Sequence, residues 1–212
     1  MNPRRTSEQI IHDTEQAWKT AKFGLDDFLK QVPPRSISGL MNIAVFGRAV
    51  TNVLQNLRST EPTFDEWYPK YRKEMESDEL MKYFYNWRTD ILKKGQTMTM
   101  THVHIKEFNL PSDMSKFGPP PPHAKNFFIG DQYGGTGWEV VLSNGTVEKY
   151  YVELPSDIGE ITHYFQDAVP RYHLGKELQD TSIENLSRLY LDYLLMLIDR
   201  TKKQFLKKND IR

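Results

Sequence analysis

Four places in this sequence combine residue types and spacings that could do chemistry. The densest is Arg88, Asp90, Lys93 and Lys94, a cluster of three cations and one acid at the end of an otherwise apolar-faced segment. Such a set could contact phosphate. It equally suits a helix C-terminus, where cations oppose the negative end of the dipole and an Arg lays its stem along apolar surface. Arg48 is the second. It stands one residue from the apolar seam of its own segment, so a semi-buried guanidinium there needs a partner, and Asp90 or Glu79 could supply it. His102 and His104 are the third. At i and i+2 on a strand they share a face and would make half of a zinc site. Glu107 falls on the opposite face and completes nothing, so no metal is predicted. The fourth is the end of the chain, where Arg200, Lys202, Lys203, Lys207, Lys208 and Arg212 face one acid, Asp210. Such a tail could hold nucleic-acid phosphates through counterion release, or match the dipole of its own helix.

Other signatures are absent or fail on context. Gly134-Gly135-Thr136-Gly137 precedes a strand-like run instead of a helix, so it reads as a turn and offers no phosphate cradle. No nucleophile elbow, Walker sequence or dinucleotide fingerprint occurs, and no cofactor is implied. The 212 residues contain no Cys, which excludes disulfides, thiolate metal sites and Cys nucleophiles. With 28 basic and 28 acidic groups the chain is not a globally basic nucleic-acid binder. The longest apolar run, Leu194 to Ile198, is too short for a membrane span. No apolar region follows Arg5, so no signal peptide is expected and a cytoplasmic protein is the default.

The elements that must position these groups are mostly helical. Ile11, Thr14, Trp18, Ala21, Leu25, Phe28 and Val32 make one stripe from about Ser7 to Val32, with Thr6 and Gln9 as a capping box and Pro33-Pro34 as a stop. Leu40, Ile43, Gly47, Val50, Leu54 and Leu57 make a second, from about Ser38 to Arg58, in which Gly47 predicts close approach to a facing helix. A third stretch begins at Thr63 with Glu66 as a capping box, bends or breaks at Pro69, and restarts with Ser77 as N-cap. Leu80, Phe84, Trp87 and Ile91 then face inward as far as Gly95. Thr97 to Phe108 alternates and reads as a strand, Gly118 to Pro122 as a rigid loop. Trp138–Leu142 and Thr146–Leu154, joined through Asn144-Gly145, form a hairpin with a type I′ turn. Helix returns near Asp157 or Ile158, and a last helix runs from Thr181, capped with Glu184, to about Lys208.

Four segments also carry a resemblance. They are Arg48-Ala-Val-Thr-Asn-Val-Leu-Gln55, Phe64-Asp-Glu-Trp-Tyr68, Leu80-Met-Lys-Tyr-Phe84 and Arg88-Thr-Asp-Ile-Leu-Lys-Lys-Gly95. This succession resembles a family of uncharacterised bacterial proteins with the pattern Ala-Arg-Ser-Val-Thr, Trp-Tyr, Met-Arg-Phe-Phe and Arg-Asn-x-x-x-Lys-x-Gly. It covers Gly39 to Gly95, about a quarter of the chain. The helical arrangement is also similar to HEPN domains, four-helix bundles that often dimerise and are often ribonucleases of toxin–antitoxin or phage-defence systems. Their mark is an Arg, then a short spacer often beginning with Asn, then a His. Arg88 fits the Arg, but Thr89 replaces the Asn, and Lys93 and Lys94 stand where the His would be. An imidazole moves a proton near neutral pH; a Lys does so only with a strongly lowered pKa.

The expected architecture is therefore mainly α within the α+β class. Four long helices form an antiparallel bundle (7–95 plus 157–208), with a β-rich insertion at 97–155, in a single domain of residues 1–212. The expected function is a helical interaction protein that binds a protein partner or a second copy of itself. The alternative is a HEPN-like RNA-binding protein or degenerate ribonuclease.

Overall fold

The computed structural model describes residues 5–95 and 99–206. Its class is α+β. Among the described residues there are six α-helices, α1 (Ser7–Leu29), α2 (Arg35–Leu54), α3 (Phe64–Trp67), α4 (Pro69–Ser77), α5 (Glu79–Lys94) and α6 (Ile183–Phe205), and seven strands between α5 and α6.

Helix α1 starts where its capping box stands: the Thr6 hydroxyl accepts from Gln9 N–H, and the Gln9 side chain accepts from Thr6 N–H. Its stripe packs against α2, and the two helices touch backbone to backbone. A Cβ on Gly39 would lie 2.3 Å from Gly24 O, and one on Gly24 would lie 2.6 Å from Gly39 O. The close approach expected at Gly47 therefore occurs at Gly24 and Gly39. Gly47 instead faces the ring of Tyr190, 2.4 Å from where a Cβ would sit. Helix α2 and the 3-10 turn that continues it to Ser59 form a run long and apolar enough, by length and composition, to cross a membrane. Here its Leu40, Ile43, Ala44, Val50 and Leu54 are buried in the core, as in an interior helix of a folded domain.

The expected antiparallel bundle of four helices is not formed. Pro69 begins a new helix and splits the third stretch into short α3 and α4, with no side-chain cap at Thr63. Asp78, not Ser77, caps α5: its carboxylate accepts from Met81 N–H. The core is completed by a strand. Phe165 enters the aromatic cluster with ring centroids 4.8 Å from both Tyr83 and Trp87, beside Phe84, which stacks on Tyr190 at 4.1 Å.

That strand corrects a second expectation. The helix placed at Asp157 or Ile158 is β5 (Gly159–Phe165), paired antiparallel with β1 (Thr99–Ile105) so that Ile161 lies opposite Val103. Alternate residues Gly159, Ile161, His163 and Phe165 are buried, the two-residue period of a half-buried strand. The β-rich part thus extends beyond residue 155 and shares the main core through Phe165. Strands β2 (Ala124–Ile129), β3 (Thr136–Val141) and β4 (Val147–Val152) form an antiparallel meander. The β3–β4 turn is not type I′. Gly145 N–H donates to Leu142 O and Leu142 N–H to Thr146 O, and Gly145, at φ 83°, rather than Asn144, takes the left-handed conformation. This is a type I turn closed by a glycine bulge. Strands β6 (Tyr172–His173) and β7 (Lys176–Glu177) form a small hairpin against α5. Ser182 caps α6, not Thr181, accepting from Asn185 N–H, and the helix is described to Phe205; Lys207, Lys208 and Arg212 of the basic tail lie outside the described residues.

Candidate functional site

Helix α2 and the 3-10 turn that follows it carry a polar stripe. Arg48, Thr51 and Gln55 are spaced by three and four, so they share one face. Facing them is α4 with Arg72, Met75 and Glu76, and beside it the first half of α5 with Met81, Lys82, Tyr85 and Asn86. Tyr68, at the junction of α3 and α4, and Tyr190 of α6 line the same space. Together they enclose a cleft of about 600 Å³. Arg48, Thr51 and Gln55, then Tyr68, then Met81 and Lys82 come from three of the four segments that carry the sequence resemblance. The fold brings those three segments to one place.

The cleft is rich in donors and poor in acceptors. Arg48 Nη1 donates to Thr51 Oγ1 at 2.6 Å, and its guanidinium lies over the Tyr85 ring, 5.0 Å from the centroid. Neither Arg48 nor Lys82 makes an ion pair among the described residues. The carboxylates expected to serve Arg48 are engaged elsewhere: Glu79 Oε2 accepts from Arg171 N–H and Tyr172 N–H, and Asp90 pairs with Lys94 at 3.4 Å. Glu76 is held by Arg72 at 2.7 Å in an exposed pair. Gln55 is also committed, donating to Thr51 O and accepting from Arg58.

Tyr68 and Tyr190 are 2% and 4% exposed; neither hydroxyl has a hydrogen-bond partner among the described residues, and neither is sealed from solvent. Burial pushes both phenols above their ordinary range, against the opposing pull of Arg48 on each, with Arg58 and Arg72 adding to that pull on Tyr68. Both therefore stay protonated near neutral pH and act as donors. The ring of Tyr68 is fixed by stacking on Phe64 at 4.9 Å, and that of Tyr190 by Phe84 and by the missing side chain at Gly47.

Of the residues singled out from sequence, only Arg48 lines this cleft. Arg88 is half-buried one turn further along α5. No hydrogen bond or ion pair reaches its guanidinium from a described residue, and its Nε is fully buried without a partner. Among the described residues no carboxylate supplies the internal partner that a border Arg calls for. Asp90, Lys93 and Lys94 stand at the C-terminal end of α5, where Gly95 at φ 68° closes the helix. With a rise of about 1.5 Å per residue, Lys94 lies roughly 13 Å along the axis from Tyr85. His102 and His104 are exposed on β1. Among the described residues no group of three or more His, Cys, Asp or Glu is placed to hold a metal ion.

Sequence reasoning missed Lys82, Arg72, Tyr68 and Tyr190. The signal that could have found the site was the spacing of Arg48, Thr51 and Gln55 by three and four, which puts them on one face.

The family described as bacteriophage lambda protein ea47 matches residues 3–111, just over half the chain. The chain belongs to that family. The matched span runs from α1 through β1 and contains every cleft residue named above except Tyr190. No curated protein and no solved structure matches the chain.

Proposed function

We propose that this member of the lambda ea47 family is a binding protein, and that the cleft between α2, α4 and α5 receives an anionic ligand. The observation that carries this reading is the pairing state of the cleft. Arg48 and Lys82 face it without carboxylate partners, while the only acid in its lining is already held by Arg72. Arg48 is partly buried and Lys82 is exposed, so water in the cleft solvates both charges, and an anion that displaces this water can pair with them. A lining of guanidinium, ammonium and phenol donors is suited to recognition. It has no adjacent nucleophile and base of the kind that group transfer requires. The name of the family supports a phage-associated setting for this binding role.

The reading is tested by thermal unfolding at low ionic strength against inorganic phosphate, sulfate, a nucleoside monophosphate, short RNA and polyglutamate. A ligand that binds only the folded state at 100 times its Kd stabilises by about 2.7 kcal/mol. At least one anion is expected to raise the Tm of the wild type and to lose that effect in Arg48→Gln and Lys82→Gln. A panel without any shift, or a shift that survives in both variants, refutes the proposal.

A further inference from the structure

We infer that the ligand of this cleft is a phosphate monoester carried on a planar aromatic group, the chemistry of a nucleoside monophosphate. The inference rests on the proposed reading of the cleft as an anion site and narrows its ligand.

The charge comes first. Arg48, Arg72 and Lys82 stand against Glu76, leaving two cations in excess. A phosphate monoester carries about −1.5 to −2 near pH 7, whereas a single carboxylate carries one charge and would leave the cleft positive.

The donors come second. They arrive from separate elements: Arg48 from α2, Tyr68 from the α3–α4 junction, Lys82 from α5 and Tyr190 from α6. A carboxylate offers two oxygens in one plane. A phosphate monoester offers three terminal oxygens in a pyramid, with acceptor sites for donors converging from several sides. Two tyrosine hydroxyls sharpen the point. Both rings are buried and held in place by aromatic stacking, while their hydroxyls stay open to the cleft without a protein acceptor, so both are free to donate to a ligand. The Tyr190 hydroxyl would stand 2.9 Å from a Cβ at residue 47, so it sits against α2 beside Arg48.

The aromatic part comes third. Tyr85 is 52% exposed on the cleft wall, a large ring left open at a charged site. Arg48 covers one face of it, which fixes the ring and the planar guanidinium together as a stacking surface. Met75 and Met81 add adaptable apolar surface. The volume of about 600 Å³ suits one nucleotide-sized molecule.

The test is calorimetric titration of the full-length protein with adenosine monophosphate, ribose 5-phosphate, adenosine, inorganic phosphate and phosphoserine, with polyglutamate and sulfate as other anions. Adenosine monophosphate is expected to bind at least tenfold more tightly than ribose 5-phosphate or phosphoserine, which lack the base, and than adenosine, which lacks the phosphate. Tyr68→Phe removes one hydroxyl and keeps the stacked ring, and should weaken adenosine monophosphate roughly tenfold. Tyr85→Leu should bring adenosine monophosphate down to the affinity of ribose 5-phosphate, and Tyr190→Phe repeats the hydroxyl test at a second position. Adenosine binding as tightly as its monophosphate, or full affinity in both Tyr→Phe variants, overturns the inference. So does phosphoserine matching adenosine monophosphate, which would point to a phosphopeptide. If no phosphate ester binds while sulfate or polyglutamate binds in an Arg48-dependent way, the anion site stands and the inference falls. If no anion binds at all, both fall.

Discussion

Asp78 joins two parts of the chain that lie far apart in sequence, and its removal should show how strongly. One carboxylate oxygen accepts from Met81 N–H at 2.9 Å, capping α5, and from His173 Nδ1 at 3.0 Å; the other accepts from Leu174 N–H at 2.7 Å. Asp78 and His173 are both buried, and the adjacent Glu79 holds the backbone of Arg171 and Tyr172. The β6–β7 hairpin is therefore pinned to the start of α5 by two neighbouring carboxylates. Asp78→Ala loses an N-cap, about 1 kcal/mol. It also leaves the buried His173 ring without its acceptor, at about 1–3 kcal/mol, and the part-buried Leu174 N–H, at about 1 kcal/mol. A total near 3–5 kcal/mol corresponds to a fall in Tm of about 6–20 °C for a chain of this size.

The pH dependence supplies an independent check. Burial pushes the Asp78 carboxyl up, but the hydrogen bonds from His173, Leu174 N–H and Met81 N–H outweigh it and hold the group below its ordinary value. A carboxyl depressed in the folded state stabilises the fold above its unfolded value of about 3.9, and this contribution is lost as pH falls through the folded value. Asp78→Asn keeps the shape and removes the charge. Its deficit against the wild type, measured by urea unfolding, should be fully present at pH 7 and should shrink below about pH 4. Amide exchange at Leu174 should accelerate in both variants. A loss under 0.5 kcal/mol in Asp78→Ala, or a deficit in Asp78→Asn that is the same at pH 7 and pH 3, would refute this account of the pin.

Four further outcomes follow from the packing. Gly39→Ala places a methyl 2.3 Å from Gly24 O and should cost about 3 kcal/mol or more, read as a shift in the urea midpoint. Gly47→Ala meets the Tyr190 ring, which can move where backbone cannot; about 1–3 kcal/mol of stability should be lost, and ligand affinity at the cleft should fall with it. Gly145→Val puts a β-branched residue at φ 83° in open space; it should cost about 1–2 kcal/mol and leave the helical circular dichroism intact, whereas full loss of helix would mean that this turn nucleates the whole fold. Arg88→Met replaces an unpaired half-buried guanidinium with an apolar chain of similar length and should leave stability unchanged or raise it by about 1 kcal/mol; a drop of more than 1 kcal/mol would reveal a partner for Arg88.

The long helices were legible because local chemistry and burial agree in them. Thr6 with Gln9 bounds α1, and Leu80, Phe84, Trp87 and Ile91 form one buried face of α5. The caps at Thr63, Ser77 and Thr181 were misplaced for a common reason. Several adjacent Ser, Thr and Asp residues qualify, and only the direction of the chain entering the helix decides which oxygen meets the free N–H groups. The β5 strand was missed although Ile161, His163 and Phe165 alternate cleanly. Its pairing partner, β1, lies more than fifty residues earlier, and non-local pairing of this kind leaves no mark within a sequence window. That omission also produced the wrong bundle, since Phe165 occupies core space that would otherwise have required another helix face.

The cleft was less legible than the fold because its parts are ordinary in isolation. Tyr68 reads as an aromatic of a short amphipathic segment, Tyr190 as a seam residue of α6, Lys82 as a solvated cation near a helix start. Only tertiary contact buries the rings of the first two with their hydroxyls open to the cleft, and puts the third, still exposed, in the same lining as Arg48. The cations that drew notice in sequence, Lys93 and Lys94, did so because they are adjacent, but adjacent residues on a helix point about 100° apart and serve the dipole. Those that meet in space, Arg48, Arg72 and Lys82, are far apart in the chain and sit on three helices. Their unmatched charge is tolerable at a site partly open to water and becomes favourable when an anion fills it. Packing alone does not require the hydroxyls of Tyr68 and Tyr190, since phenylalanine rings could fill the same space. The arrangement therefore points to a ligand as the reason those hydroxyls and cations share one cleft.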